Sequence, residues 1–358
     1  MQTTIGMDLG DSKHVACVLD NEGEVVRREA VDNNPESIKE FLDGFARPER
    51  VRVAIETGTH SPWMSQLLQA RGFQVLVAQS RSLRAIWDTD VKDDWRDAEK
   101  LARMARVDPK MLCPIRHRGR RAQAHLAVIR ARDNLVRARS ALASSVRGMV
   151  KSFGGRLPEC SVEALPAKAE EHLPQDLRPA MMPVLGAIST LTLQVRAFDK
   201  AIDQMSATQY PEVARLTQVA GVGCLTALAY VLVLEDPGRF PNSRAVGPYL
   251  GLTPGLDLSG KTDKALPITK AGDGLLRRLL VGSANYILGP FGPDCDLRRY
   301  GERIAGRGGK VARRKARTAV ARKLAVLLHR LWVTPEPYEP LRNGNRRKAD
   351  TQAVAQVA

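Results

Sequence analysis

The chain has 358 residues, 44% of them hydrophobic, enough to bury more than one core. Lys and Arg number 55 against 39 Asp and Glu, a net charge of +16, which points to a polyanionic partner and above all to nucleic acid. Aromatic residues at 5% argue against base stacking as the main binding mode, and five scattered cysteines without a C-x-x-C pair give neither a zinc site nor a disulfide framework. A reducing cytoplasm fits those cysteines, no signal-peptide pattern opens the sequence, and the longest apolar run, around Leu225 to Leu234, is too short to span a bilayer.

Residues 3–9, 14–20 and 25–31 read as three strands, with Asn21-Glu22-Gly23 as a turn between the second and third. Residues 35–45 have helical periodicity, and Pro35 suits a first turn. A strand over 51–56, a helix from Pro62 to Ala70 and a strand over 73–78 follow. Three sequential strands and then alternating helix and strand make a mixed α/β sheet. That order resembles the ribonuclease H-like fold in its RuvC branch.

Carboxylates stand at two of those strand ends: Asp8 after Thr4-Ile5-Gly6-Met7, and Glu56 after Val51-Arg52-Val53-Ala54-Ile55. Two more, Asp94 and Asp97, open an expected helix and share a face of it, being three residues apart. Taken singly, Asp94 reads as an N-cap, Asp97 as a first-turn acid and Asp8 as the opening of a turn. An unpaired carboxylate ending an apolar strand, as Glu56 does, costs free energy. If the four converge, their repulsion calls for a cation between them, and Mg²⁺, with Mn²⁺ as substitute, is the natural occupant. Two such ions on a phosphodiester make a nuclease or strand-transfer site.

Residues 116–151 carry Leu126, Ile129, Val136, Ala143 and Val150 at spacings of three and seven, with Arg130, Arg132, Arg137, Arg139 and Arg147 among them. The pattern predicts a long basic helix with a narrow apolar seam, as in a coiled coil. A second seam runs through Leu185, Ile188, Val195, Ile202 and Met205. The prolines between prevent one continuous helix, so an antiparallel hairpin and a dimerising coil are both open. Val219-Ala220-Gly221-Val222-Gly223 resembles the hairpin of a helix-hairpin-helix element, where Gly221 and Gly223 would let backbone N–H groups approach phosphate; the alternative is a glycine turn between packed helices. Residues 247–260 are turn-rich, and Lys270, Arg277 and Arg278 follow them. Arg313, Arg314 and Lys315 lie on an expected basic helix suited to nucleic-acid backbone, and from Pro335 the composition reads as a disordered tail.

Together these motifs resemble the insertion-sequence one-hundred-and-ten transposases, the DEDD recombinases that include the Piv-type invertases, over nearly the whole chain. The resemblance is carried by Gly6-Met7-Asp8, Ile55-Glu56-Thr57-Gly58-Thr59, Asp94-x-x-Asp97-Ala98, Leu250-Gly251-Leu252-Thr253-Pro254, Lys270-Ala271-Gly272, Leu276-Arg277-Arg278 and Ala321-Arg322-Lys323-Leu324-Ala325. It implies a RuvC-like α/β domain over 1–108, a coiled-coil helical domain over 109–209, a mainly α transposase domain over 210–334 and a tail over 335–358. It implies divalent metal on Asp8, Glu56, Asp94 and Asp97, and a serine nucleophile that matches Ser259 in Leu258-Ser259-Gly260-Lys261. Local sequence alone makes Ser259 a turn residue. The implied partners are double-stranded target and donor DNA, a structured bridge RNA that pairs with both, and further copies of the chain in a dimer or tetramer. The implied setting is bacterial and cytoplasmic, at the nucleoid. Two positions depart from the family pattern: Thr269 stands where Ser is frequent, and Asp11 where Lys is frequent. A hydrolytic junction resolvase would share the carboxylates but not need residues 210–330. A sugar-kinase or actin-like ATPase would match Asp8-Leu9-Gly10-Asp11-Ser12 but not the charge.

Overall fold

A computed structural model describes residues 3–80, 93–259 and 262–343, with backbone alone for 257–259 and 262–265. The chain forms two compact units, residues 1–119 and 120–358.

The first unit is built on a five-stranded sheet: β1 (Thr3–Leu9), β2 (Lys13–Leu19), β3 (Val25–Asp32), β4 (Val51–Glu56) and β5 (Gln74–Ala78), in the order β3-β2-β1-β4-β5. The first three strands form an antiparallel meander, and β4 and β5 add in parallel beside β1. Helix α1 (Pro35–Asp43) is capped by Asn34, whose side chain accepts from the Ser37 amide at 2.8 Å. Helix α2 is Ser61–Ala70 and α3 is Asp94–Val107.

Side chains alternate between the faces of a strand, and the two faces bury different things. Ile5, Met7, Ala16, Val18, Val53 and Ile55 share a core with Ile38 and Phe41 of α1 and Met64 and Leu68 of α2. The opposite face takes α3. There Ala54 and Ala78 meet Leu101 and Ala105, while Val15, Cys17 and Leu19 meet Ala98 and Ala102. Small residues on both sides bring this helix close to the sheet. The closest point is Gly6, where a Cβ would lie 2.0 Å from the Ala98 carbonyl oxygen.

The second unit opens with α4 (Arg120–Ser152), α5 (Leu165–Glu170) and α6 (Arg178–Gln209). Arg121 pairs with Gln209, Arg132 with Asp199, and Arg139 with Thr192, so α4 and α6 run antiparallel within one chain. Of the two arrangements the sequence left open, the chain adopts the hairpin. Leu185, Ile188, Val195 and Ile202 of the expected seam are buried. The 175–209 stretch is long and apolar enough, by length and composition, to cross a membrane. Its buried residues nevertheless form a stripe packed on α4 and α5.

Helices α7 (Glu212–Leu216), α8 (Cys224–Leu234), α9 (Val246–Tyr249), α10 (Gly274–Leu288), α11 (Asp296–Ala305) and α12 (Gly309–Val333) complete the unit with a hairpin of β6 (Pro254–Ser259) and β7 (Thr262–Ile268). The apolar run at 225–234 becomes α8, buried all round from Thr226 to Leu234, as expected of a central core helix. Tyr230 keeps its hydroxyl satisfied there by donating to the Ala325 carbonyl at 2.6 Å. Leu126, Ile129 and Ile202 reach the same core, which ties the base of the helical pair to the C-terminal helices. The polar stretch from 335 begins as part of this unit. Glu336 binds both Arg330 and Arg342, and the Asp296 amide donates to the Pro340 carbonyl at 2.7 Å.

Candidate active site

The register of the first sheet pairs Met7 with Ile55 on adjacent parallel strands, so Asp8 and Glu56, each one residue on, stand at the same level. Asp8 follows Gly6 by two, and Glu56 follows Ala54 by two. Both therefore belong to the face that takes α3. The direction of α3 is set by contacts near its C-terminal end. Arg103 and Arg106 donate to the Gly23 and Asn21 carbonyls in the β2–β3 turn, and Arg52, at the start of β4, donates to the Ala105 carbonyl at 2.8 Å. The helix thus runs antiparallel to β1 and β4, and its first turn, with Asp94 and Asp97, lies at the strand ends where Asp8 and Glu56 are.

The N-cap of α3 is Asp93, which accepts from the Trp95 amide at 3.1 Å. Asp94 is the first helical residue, exposed, and not the cap. Asp97 is half-buried, with the Lys100 ammonium 3.5 Å away. All four groups are carboxylates on one face and at one end, a hard oxygen donor set that suits a divalent cation by chemistry. Among the described residues, no group of three His, Cys, Asp or Glu side chains is gathered closely enough to hold an ion.

The loop after Glu56 is held from several sides. The Thr57 amide donates to the Ala78 carbonyl at 2.9 Å, and the Thr57 and Ser80 hydroxyls are 2.5 Å apart. Ser61 donates to the Gly58 carbonyl at 2.9 Å and meets Nε2 of His117 at the same distance. His60 Nε2 lies 2.8 Å from Asp11 Oδ1, joining the loop after β4 to the loop after β1. Asp11, noted as a departure, is thus partnered with His60.

In the second unit, Ser259 ends β6 and pairs in register with Thr262 across the hairpin. Its side chain lies outside the described residues, and so do Gly260 and Lys261. The base of the hairpin rests on two loops packed backbone to backbone. Gly251 has φ +65° and a Cβ there would lie 2.2 Å from the Ala271 amide; Gly272 has φ +68° and a Cβ there would lie 2.2 Å from the Tyr249 carbonyl. Only glycine fits either position. Arg277 fastens the pair by donating from Nη1 to the carbonyls of Leu250, Ala271 and Gly272.

Comparison with known proteins gives two family matches. A model described as a transposase, of the DEDD IS110 type, matches residues 5–154, and one described as the transposase IS116/IS110/IS902 family matches residues 213–291. The chain belongs to the IS110 family of transposases.

A "Probable family 20 transposase" of Pseudomonas aeruginosa is 25% identical over 346 residues, 94% of this chain and 98% of the relative. A transposase for insertion sequence element IS1328 of Yersinia enterocolitica is 27% identical over 294 residues, covering 80% and 84% of the two chains. A transposase for an insertion sequence element of Coxiella burnetii is 32% identical over 172 residues, 45% of this chain and 46% of the relative. Family membership makes the chain a DNA-cutting and joining enzyme that depends on divalent metal, and its first unit a RuvC-like fold.

The structure sorts the basic residues picked out in this transposase's sequence. Arg313, Arg314 and Lys315 are exposed on the outer face of α12, opposite the buried Ala312 and Ala316. Arg278 is exposed and bonded to Asp133 at 2.6 Å. Lys270 sits at φ +55° in the tight loop, and Arg277 is turned onto carbonyls, a loop-fastening role that its motif did not signal. On α4, Arg130 pairs with Asp273, Arg132 with Asp199, and Arg139 with Glu163, while Arg147 donates to the Cys160 carbonyl. Much of that helix's basic character is spent inside the unit. At Gly221, φ is +81° and a Cβ would lie 2.9 Å from the Tyr286 ring, so packing on α10 accounts for this glycine. Gly223 precedes α8 with open space around its Cα.

Proposed function

We propose that this transposase exchanges DNA strands through a covalent phosphoserine intermediate, with Asp8, Glu56, Asp94 and Asp97 as ligands of Mg²⁺ and Ser259 as nucleophile. The observation that supports it most is the placement of all four carboxylates on one face and at one end of the first sheet. Four carboxylates brought together without a cation repel, so in this reading the ligand set closes with the ion and the DNA in place. The metal would neutralise charge on the phosphodiester and polarise it. Gly6 lets α3 sit low enough for its first turn to reach the strand ends, and the Thr57–Ser80 and His60–Asp11 pairs fix the loops beside Asp8 and Glu56. The Ser259 hydroxyl attacks phosphorus as its proton is lost; the P–O3′ bond breaks, and the leaving oxygen takes up a proton to become a 3′-hydroxyl. Attack by another strand's 3′-hydroxyl on the phosphoserine reverses the step and joins new partners without an external energy source.

Within this reading residues 1–108 cut, 109–209 form a coiled-coil arm and 210–334 carry the serine. A bridge RNA supplies sequence choice by pairing with target and donor DNA, so the protein needs backbone contacts more than base readout. Arg278, Arg313, Arg314 and Lys315 suit that role, as do Lys270 and the glycine turn at Gly221 and Gly223, if its amides face phosphate. A homo-oligomer, dimer or tetramer, acts at the bacterial nucleoid and lets serine and carboxylates come from different copies. The test is DNA cleavage with the matching RNA, with Mg²⁺ or Mn²⁺ and with excess chelator, using wild type and Asp8→Ala. Cleavage should need metal and be lost in the variant, and exchanging the RNA loops should redirect it. Full activity in chelator, or a target that stays fixed after the exchange, contradicts the corresponding part.

A further inference from the structure

A cavity of ≈ 600 Å³ opens in the second unit between the outer side of α12 and the segment that follows it. It takes in Arg322 and Lys323 of the Ala321–Ala325 motif and Thr253 of the Leu250–Pro254 motif, none of which has been given a role above, and its volume is in the usual range for small-ligand pockets. The floor is apolar, with Val326, Leu327 and Leu331, and Tyr338 forms part of the wall. Five basic side chains line it, Arg244, Arg322, Lys323, Arg330 and Arg342, against the two carboxylates of Asp296 and Glu339.

Two of the five have a partner already. Arg330 and Arg342 both hold Glu336, and the Asp296 carboxylate accepts the Asn343 amide at 2.8 Å. These bonds and the Asp296–Pro340 backbone bond secure the wall that carries Tyr338. Arg244, Arg322 and Lys323 make no ion pair among the described residues. Lys323 places its ammonium 4.3 Å from the centre of the Tyr300 ring, and Arg322 runs along Gly247. Three cations outside any ion pair, in an apolar pocket whose basic side chains outnumber its carboxylates five to two, favour an anionic ligand with a flat apolar part. An acidic peptide would offer the charge but not the ring. A duplex, with its bases stacked inside, could not enter.

We propose that this cavity takes one unstacked nucleotide of a single-stranded nucleic-acid segment, with the base against Tyr338 and the flanking phosphates on Arg244, Arg322 and Lys323. Base stacking on an aromatic ring beside a basic rim is the usual chemistry of single-strand binding. The inference rests on the reading of the chain as a nucleic-acid-acting enzyme but not on its metal or its serine, since binding is measured without cleavage.

The full chain is titrated with a fluorescent tetranucleotide, as RNA and as DNA, and with a duplex of the same sequence. Variants are Arg322→Ala with Lys323→Ala together, and Arg244→Glu at an exposed position; thermal melting checks that both are folded. A tetranucleotide carrying 5-iodouracil is photocrosslinked and the attachment site is mapped by mass spectrometry. The proposal expects a crosslink at Tyr338 and at least tenfold weaker single-strand binding in both variants, with duplex binding changed less than threefold. The Arg313/Arg314/Lys315 triple alanine variant should show the opposite pattern. A crosslink confined to other residues, equal losses for single strand and duplex, or equal affinity for a polyglutamate peptide would overturn it. Nucleoside monophosphate bound as tightly as the tetranucleotide would assign a free-nucleotide site instead and overturn the strand reading.

Discussion

Replacing Gly6 with alanine tests how α3 delivers Asp94 and Asp97 to the sheet end. The added methyl would stand 2.0 Å from the Ala98 carbonyl oxygen and 2.5 Å from the Ala102 amide nitrogen, where ordinary contact begins at 3.4 Å. Both obstacles are backbone, so no side-chain rotation relieves them. The helix must lift by roughly 1.4 Å, the shortfall in that contact, or tilt by as much at its first turn. Overpacking of this kind costs about 1–3 kcal/mol. Misplacing catalytic groups by about 1 Å can cost around a hundredfold in rate. Gly6→Ala should therefore unfold at lower denaturant and cleave DNA about a hundredfold more slowly, whereas Asp97→Ala should lose cleavage with little loss of stability. Denaturant unfolding and metal-dependent cleavage, run on both variants, separate the two effects. A Gly6→Ala protein with wild-type stability and wild-type cleavage would refute the argument that close helix approach builds the site.

Two further outcomes follow from particular contacts. Arg277→Ala strips the donor from three loop carbonyls and should cost about 1–3 kcal/mol, with Arg277→Lys recovering only part; a stability unchanged by Arg277→Ala, read from denaturant unfolding, would return this residue to the pool of nucleic-acid contacts. Burial, and after it His60, hold the His14 imidazole below its usual 6.5, and burial does the same for His117, so below that pH the unfolded chain takes up protons that the folded one refuses. Stability of the first unit should then be full above about pH 6.5 and fall on acidification, with a shallower fall in His14→Phe; an equal pH slope in that variant would remove His14 from the account.

The strands of the first unit were legible because their side chains alternate or run apolar between clear turn residues. The end of β4 at Glu56 and the start of α3 at Asp94 fall where the pattern placed them. The cap was less legible: Asp93 and Asp94 are adjacent and chemically alike, and only the bond to the Trp95 amide chooses between them. Strand β6 falls within the turn-rich 247–260 stretch because Pro254 and Gly255 depress strand propensity, and its pairing with β7 is a tertiary fact. Arginines were the least legible. Asp199, Glu163 and Asp273, which claim Arg132, Arg139 and Arg130, are distant in sequence, as is Leu250, one of the carbonyls that hold Arg277. A charge count therefore assigned to nucleic acid several cations that hold the protein together. The polar stretch at 336–343 read as tail because its contacts are with residues of α11 and α12 that composition cannot reveal.

The most direct measurement of the central claim uses a nicked suicide substrate that lets the cut end diffuse away, followed by separation under denaturing conditions. Wild type with Mg²⁺ should leave protein covalently bound to one DNA end, and the bond should map to Ser259. The adduct should be absent in Ser259→Ala and in Asp8→Ala. Cut DNA carrying no protein, or an adduct that persists in Ser259→Ala, for example through Thr269, would contradict the account.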